Sequence, residues 1–234
     1  MKNRDNNKTS VVLVHGAFAD ASSWQKVIPL LEKEGLAVTA VQLPLKSLAD
    51  DVATTKRLID SQPGDVILVG HSYGGAVTTE AGSGNPKVRG LVYVAAFAPD
   101  AGEAIAGLIE RFSPSPLGTA VAPDSAGFLF IDRAKFQSVF ANDLSKEEAS
   151  LLAATQKPLA ASIFAELIKA AAWKNIPSWY IVSTQDNSIN PDLERFMAKR
   201  MGAKTKEIKA SHVSFISNPS EIAKVIESAV ASTA

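Results

Sequence analysis

Cysteine is absent from the 234 residues, which excludes a disulfide, thiol catalysis and a thiolate metal site but leaves the redox compartment open. An excess of one charge is absent too. Lys+Arg number 24 and Asp+Glu 24, so there is neither a basic footprint for nucleic acid nor polyanionic character. No uncharged apolar run is long enough to span a bilayer, and the opening MKNRDNNKTS lacks the apolar stretch of a secretory signal. Cytoplasm is the default compartment on these grounds, although a leader removed before Met1 would leave no trace. The signatures of bound nucleotide or metal are also missing: Gly70-His71-Ser72-Tyr73-Gly74-Gly75 is not G-x-G-x-x-G, no G-K-[ST] follows it, and no H-E-x-x-H occurs. Neither a cofactor nor a metal is expected. The expected partner is a small neutral molecule, with no nucleic acid and no membrane, and the chain is expected to be a monomer or a homodimer. Histidine is scarce, and the three present, His15, His71 and His212, are the candidates for base chemistry.

What is there is organised around Asp65 to Gly75, DVILVGHSYGG. Val66, Ile67, Leu68 and Val69 form a β-branched apolar run bounded by Pro63-Gly64 and Gly70, the pattern of a strand buried on both faces. Gly70-His71-Ser72-Tyr73-Gly74 fits G-x-S-x-G, and helix is expected from about Tyr73 to Ala81, which puts Ser72 on a sharp strand-to-helix turn. Gly70 and Gly74 suit that turn because strand and helix backbones approach closely there. Helix N-terminal N–H groups would point at an oxyanion formed beside Ser72.

Strands are expected at Ser10 to Val14, Leu36 to Val41, Val88 to Ala96, Ser178 to Thr184 and Thr205 to Lys209. Helices are expected at Leu48 to Ser61, Pro191 to Met201 and Pro219 to Ala231. A further helix is expected from Ser22 or Ser23 to Gly35, kinked at Pro29. This alternation implies an α/β fold, a mostly parallel sheet of about six strands with helices on both faces. Length favours one domain over 1–234. From Pro99 to about Ala172 the rhythm lapses, and 100–172 is expected to be an inserted helical cap. That cap holds Phe112, Phe128, Phe130, Phe136, Phe140 and Phe164, expected mainly to pack its own core, with some facing substrate. Its arginines, Arg111 and Arg133, are read as surface charges.

Function gathers beyond the carboxyl ends of parallel strands, where His15, Ser72, Asp100, Asp186 and His212 all fall. Serine needs an imidazole to take its proton. His71 is adjacent to Ser72 and points elsewhere. His212 follows the last strand, where the order Ser, acid, His places the base. The orienting acid is Asp186 or Asp100, each at a strand exit. Asp192 and Glu194 are explained as acidic residues in a helix's first turn after Asn190 and Pro191.

The segments VVLVHGAFADASSW, LLEKEGLAVTA, VILVGHSYGG, LVYVAAFAPD, STQDNSI and ASH resemble the α/β-hydrolase superfamily, most closely small esterases of the plant methylesterase and hydroxynitrile-lyase type and their bacterial relatives. The resemblance implies a Ser72, Asp186, His212 triad and an oxyanion hole made by the N–H groups of Ala17 and Tyr73 in the HG-x-x loop and the elbow. It also implies that the superfamily's first two strands are absent. Phe18, next in that loop, is the expected substrate contact. Where the lyases carry a lysine after the triad histidine this chain has Val213, and where they carry a threonine it has Gly16. The expected activity is therefore hydrolysis of a small, largely apolar carboxylic ester through an acyl-serine. The alternatives are a ligand receptor that keeps the triad with little turnover, or a lyase or perhydrolase on the same fold.

Overall fold

The computed structural model describes residues 9–233; the polar leader 1–8 lies outside them. Six strands form an all-parallel sheet in the order β2-β1-β3-β4-β8-β9. Its first four are β1 (Ser10–Val14), β2 (Ala37–Val41), β3 (Val66–Ser72) and β4 (Val88–Ala96). Every residue of β3 is buried, because β3 is hydrogen-bonded on both sides and covered on both faces. This is why its sequence is a continuous apolar run instead of an alternation.

The chain winds outward from β1 to β2 and then returns to lay β3 on the other side of β1, so the direction of winding reverses between β1 and β3. Ligands bind at such a reversal, beyond the carboxyl ends of the strands. Both the HG loop after β1 and Ser72 at the end of β3 stand there.

The first helix differs from expectation. Asp20 caps a 3₁₀ turn at Ala21–Trp24, and α1 starts only at Ile28 and runs to Lys33. Pro29 thus falls in its first turn, where a missing N–H costs no hydrogen bond, and no kink is needed. The helix α2 (Leu48–Ser61) has the expected bounds, with the Ser47 side chain accepting from the Asp50 N–H. The elbow helix α3 (Tyr73–Ala81) follows β3 with no intervening loop and is buried throughout.

Between β4 and β8 (Ser178–Ser183) lies the insertion, which holds three short helices, α4 (Ile105–Ile109), α5 (Phe136–Phe140) and α6 (Lys146–Thr155). It is not the purely helical cap that the sequence predicts. β5 (Val121–Pro123), β6 (Phe128–Ile131) and β7 (Leu159–Ala160) make a second, antiparallel sheet. Strands of two to four residues carry too few alternations to be told from loop; β5 and β6 pair as a hairpin across residues 124–127, and β7 joins from about thirty residues further on. The insertion is stitched down by the Ala160 N–H, which donates to the Leu45 carbonyl.

The chain closes with α7 (Pro191–Arg200), β9 (Lys204–Ile208), the short α8 (Ser214–Ser217) that the sequence did not suggest, and α9 (Pro219–Thr233). In α7 the Asn190 side chain caps the N-terminus, Pro191 occupies the first turn, and Lys199 and Arg200 end the helix beside its negative pole. α2 packs on α3 and α1 on α9, and these pairs flank the sheet. No described helix is long and apolar enough to cross a membrane.

Candidate active site

Ser72 is at φ +53°, a left-handed conformation that costs a non-glycine residue energy and turns its side chain out of the sheet. The turn closes only because Gly74 lies against β1: a Cβ there would fall 2.5 Å from the Val14 carbonyl oxygen and 2.6 Å from that of His15. The Phe97 N–H donates to the Ser72 carbonyl at 3.0 Å and ties the elbow to the end of β4. Tyr73, as the first residue of α3, has an N–H with no intrahelical acceptor. Its phenol donates to Asp51 at 2.6 Å, and Asp51 in turn accepts from the Leu45 N–H at 2.8 Å. Burial raises the Asp51 pKa against the pull of these two bonds, and burial followed by Asp51 raises that of Tyr73. The pair anchors Tyr73, and with it the first turn of α3. The sequence held no local signal for this contact.

On the other side of Ser72 the HG loop is locked by His15. The Leu43 N–H donates to its Nε2 at 3.0 Å, so the ring proton is on Nδ1, which donates to the Gly16 carbonyl at 2.8 Å. Burial lowers the pKa of His15 to about 4, its hydrogen bond to Gly16 offsetting only part of that shift, so the ring is neutral at pH 7. Ala17 and Phe18 follow, both buried and both lining the cavity with Ser72 and Tyr73. Phe18 adopts φ +59° and meets Phe140 edge to face at 6.2 Å.

Asp186 and His212 come together from the exits of β8 and β9. His212 Nδ1 bonds Asp186 Oδ2 at 2.6 Å, and both side chains are almost wholly buried. The other oxygen of Asp186 accepts from the N–H groups of Ser188 at 2.6 Å and Ile189 at 2.9 Å. Asp100 is elsewhere, paired with Lys174 at 2.6 Å; burial raises its pKa, but Lys174, the Ala101 N–H and the charge of Arg200 together lower it further, so the net shift is downward. Of the two acids the sequence left open, only Asp186 contacts the imidazole.

His71 serves as a strut. Its Nε2 donates to the His212 backbone carbonyl at 2.9 Å, and burial, then the neighbouring His212, holds its pKa well below the usual value. With Nδ1 of His212 given to Asp186, Nε2 is left for the cavity. No hydrogen bond from Ser72 to His212 is formed among the described residues; such contacts commonly tighten only with substrate bound.

The insertion holds both loops in place. Asp143 Oδ2 accepts from the Ser211 N–H at 2.9 Å and from the Ser217 hydroxyl at 2.7 Å, bracketing His212. Asn187 donates to the Ser138 carbonyl and Ser188 to that of Val139, at 2.8 and 2.7 Å, bracketing the Asp186 loop.

Glu194 requires a correction. Its neighbour Asp192 is the exposed first-turn residue the helix pattern called for, but Glu194 is 0% exposed and accepts from the Ser183 N–H at 3.1 Å. Residues three and four apart share a helix face, and Glu194 shares the face of α7 turned toward β8 with the buried Met197 and Ala198.

The cavity that holds Ser72 and His212 measures about 240 Å³ and is walled by Phe97, Ile109, Leu117, Val121, Phe164 and Ile189. Among the described residues, no acidic side chain and no lysine or arginine lines it. The hydroxyls of Ser115 and Ser188 on its wall are already donated to backbone carbonyls. Of the insertion's phenylalanines, Phe140 and Phe164 face it, whereas Phe136 is buried in the insertion. Arg111 is held by Glu103, and Arg133 is exposed. A larger neighbouring cavity of about 330 Å³ shares Phe18 and Phe140 but includes neither Ser72 nor His212. Among the described residues, no group of three His, Asp or Glu is arranged to hold a metal.

A parallel sheet with a strained strand-turn-helix serine at its centre and an acid–histidine pair at later strand exits is the architecture of an α/β hydrolase. The chain belongs to the alpha/beta hydrolase family, whose model matches residues 11–225. It is 32% identical to norfluorocurarine synthase 1 of Strychnos sp over 92% of this chain and 93% of that protein. It is 31% identical to methylesterase 2 of Arabidopsis thaliana over 82% of this chain and 84% of that protein. The same fold occurs in a pyrethroid hydrolase of Sphingobium faniae JZ-2, with a TM-score of 0.83 at 23% identity over 94% and 97% of the two chains.

Proposed function

We propose that the protein hydrolyses a small, uncharged, largely apolar carboxylic ester through an acyl intermediate on Ser72. The observation that carries this reading is the 2.6 Å bond between His212 and Asp186, facing the same cavity as Ser72 on its strained turn. Ser72 Oγ attacks the ester carbonyl while His212 Nε2 takes its proton, and Asp186 stabilises the resulting imidazolium. The N–H groups of Ala17 and Tyr73 receive the developing oxyanion. His212 then protonates the departing alcohol, and water repeats the sequence to release the acid. The names methylesterase and pyrethroid hydrolase among its relatives are consistent with ester cleavage, and the charge-free cavity lining favours a neutral substrate.

Esterase is favoured over hydroxynitrile lyase by two positions. Val213, where the lyases carry a lysine, is buried, and no ammonium lines the cavity to stabilise a leaving cyanide. Gly16, where they carry a threonine, packs so closely that a Cβ would lie 2.7 Å from the Ser72 Cβ. Hydrolysis of p-nitrophenyl acetate is expected, without enzyme-dependent cyanide release from mandelonitrile. Cyanide release that Ser72→Ala abolishes, with no ester turnover, would overturn the reading. Stoichiometric ester binding with no turnover would instead identify a receptor.

A further inference from the structure

Behind the Asp186–His212 pair lies a second carboxyl group that the proposed reaction leaves unused. Glu194 is fully enclosed between α7 and β8, and its Oε2 accepts from the Ser183 N–H at 3.1 Å. Its Oε1 is buried and meets no donor. The neighbouring carboxylate is that of Asp186, placed where the two side chains can share a hydrogen. Two carboxylates cannot hydrogen-bond to each other unless one keeps a proton. The geometry settles which one does. Asp186 already accepts two backbone N–H groups on Oδ1 and the imidazole on Oδ2, an arrangement that stabilises its charge. Glu194 accepts only one N–H.

We infer that Glu194 is a protonated positioning residue, a neutral carboxylic acid that donates to the Asp186 carboxylate and so fixes the group that orients His212. This deepens the proposed function, since the positioning matters to the reaction only if the triad does. Few other charges face Glu194. Asp186 and the Tyr180 phenol of β8 are its buried neighbours, and His212 lies beyond Asp186. Arg195 on α7 is turned to the surface, where Glu207 and Asp192 hold it at 2.8 and 2.9 Å. Burial, then the negative charge of Asp186, raises the Glu194 pKa well above its usual value. An acid enclosed in this way holds its proton to a higher pH than an exposed one, as in other sites where an apolar enclosure keeps an acid protonated so that it can donate.

The sign of the pH dependence follows. In the unfolded chain Glu194 loses its proton above about pH 4.5, whereas in the fold it keeps it, so folding at neutral pH takes up a proton. Its contribution to stability is full below that pH and declines as pH rises toward its folded pKa. Glu194→Gln presents the same donor and acceptor with no proton to take up. The Tm of Glu194→Gln minus that of the wild type should therefore grow steadily from pH 5 to pH 8. This readout does not involve activity, so it decides the protonation even if the protein proves not to be an esterase.

The second arm is kinetic and uses p-nitrophenyl butyrate. Glu194→Gln should keep kcat within about threefold, because the amide N–H replaces the carboxyl O–H. Glu194→Leu, of similar volume and no donor, should lower kcat about 10- to 100-fold with KM little changed, the loss expected for a hydrogen bond to a charged group. A Tm difference flat across pH 5 to 8 would overturn the inference. So would a Gln variant as impaired in kcat as the Leu variant, or a Leu variant with wild-type kcat.

Discussion

Ser72, His212 and Asp186 should behave as one unit if they share a step. Ser72→Ala and His212→Ala are each expected to lower kcat by about 10⁴- to 10⁶-fold, with the double variant adding little, because the remaining groups cannot act alone. Asp186→Asn should cost about 10²- to 10⁴-fold, through loss of the charge that orients the imidazole. Asp100→Asn should leave kcat near wild type, since Asp100 is occupied by Lys174. A reversed ranking of the two aspartates in steady-state assays would refute the acid assignment. At this scale the serine and histidine were legible from motif and chain order, because a strained turn demands particular neighbours. The acid was left between two candidates by position alone, and a direct 2.6 Å contact separates them. Glu194 was misread because an acidic residue in a helix's first turn has a sufficient local explanation. Only the packing of α7 on β8 reveals that its side chain faces inward. His71 and Asp51 were illegible in the same way: each acts on a partner 141 or 22 residues distant.

Elements with their own stop and start chemistry were read from sequence almost residue by residue. The Ser47 cap of α2, the Asn190-Pro191 start of α7 and the apolar run of β3 are local devices, and their elements begin where expected. Pro29 misled because one proline is compatible with a kinked long helix or with a short helix starting beside it. The structure takes the second, which sacrifices no backbone hydrogen bond. The insertion was legible only as a lapse of rhythm, because its β5–β6 hairpin is built of strands too short to show alternation and β7 pairs from a distant segment that no local pattern records. One consequence belongs to this scale. Because Asp143 brackets His212 from the insertion through Ser211 and Ser217, Asp143→Ala should loosen the loop after β9 without touching the cavity. A fall in kcat of about tenfold is expected, as part of the loss of two charge-assisted hydrogen bonds reaches His212 through the loop, together with faster amide exchange at Ser211. Unchanged exchange at Ser211 would show that the loop stands without the tether.

Across the whole molecule, balanced charge, a cavity lined by no carboxylate, lysine or arginine among the described residues and an enclosing apolar insertion support the proposed choice of substrate by size and apolarity. The cavity beside Ser72, about 240 Å³, is smaller than the roughly 300 to 1,000 Å³ usual for ligand sites. The adjoining one of about 330 Å³ is separated from it by Phe18 and Phe140. Each acyl methylene buried contributes about 0.8 kcal/mol, which is roughly fourfold in kcat/KM while room lasts. For p-nitrophenyl esters from acetyl to octanoyl, kcat/KM should therefore climb, reach an optimum, and fall once the chain meets the Phe18–Phe140 wall. Phe18→Ala removes half of that wall and joins the two spaces. Its optimum should move to longer acyl chains, with acetyl ester turnover reduced by the looser fit. A flat profile from acetyl to octanoyl in the wild-type protein would show that no closed apolar compartment governs choice. An optimum that stays put in Phe18→Ala would place the limiting wall elsewhere, at Phe164 or Leu117 on the side of the insertion.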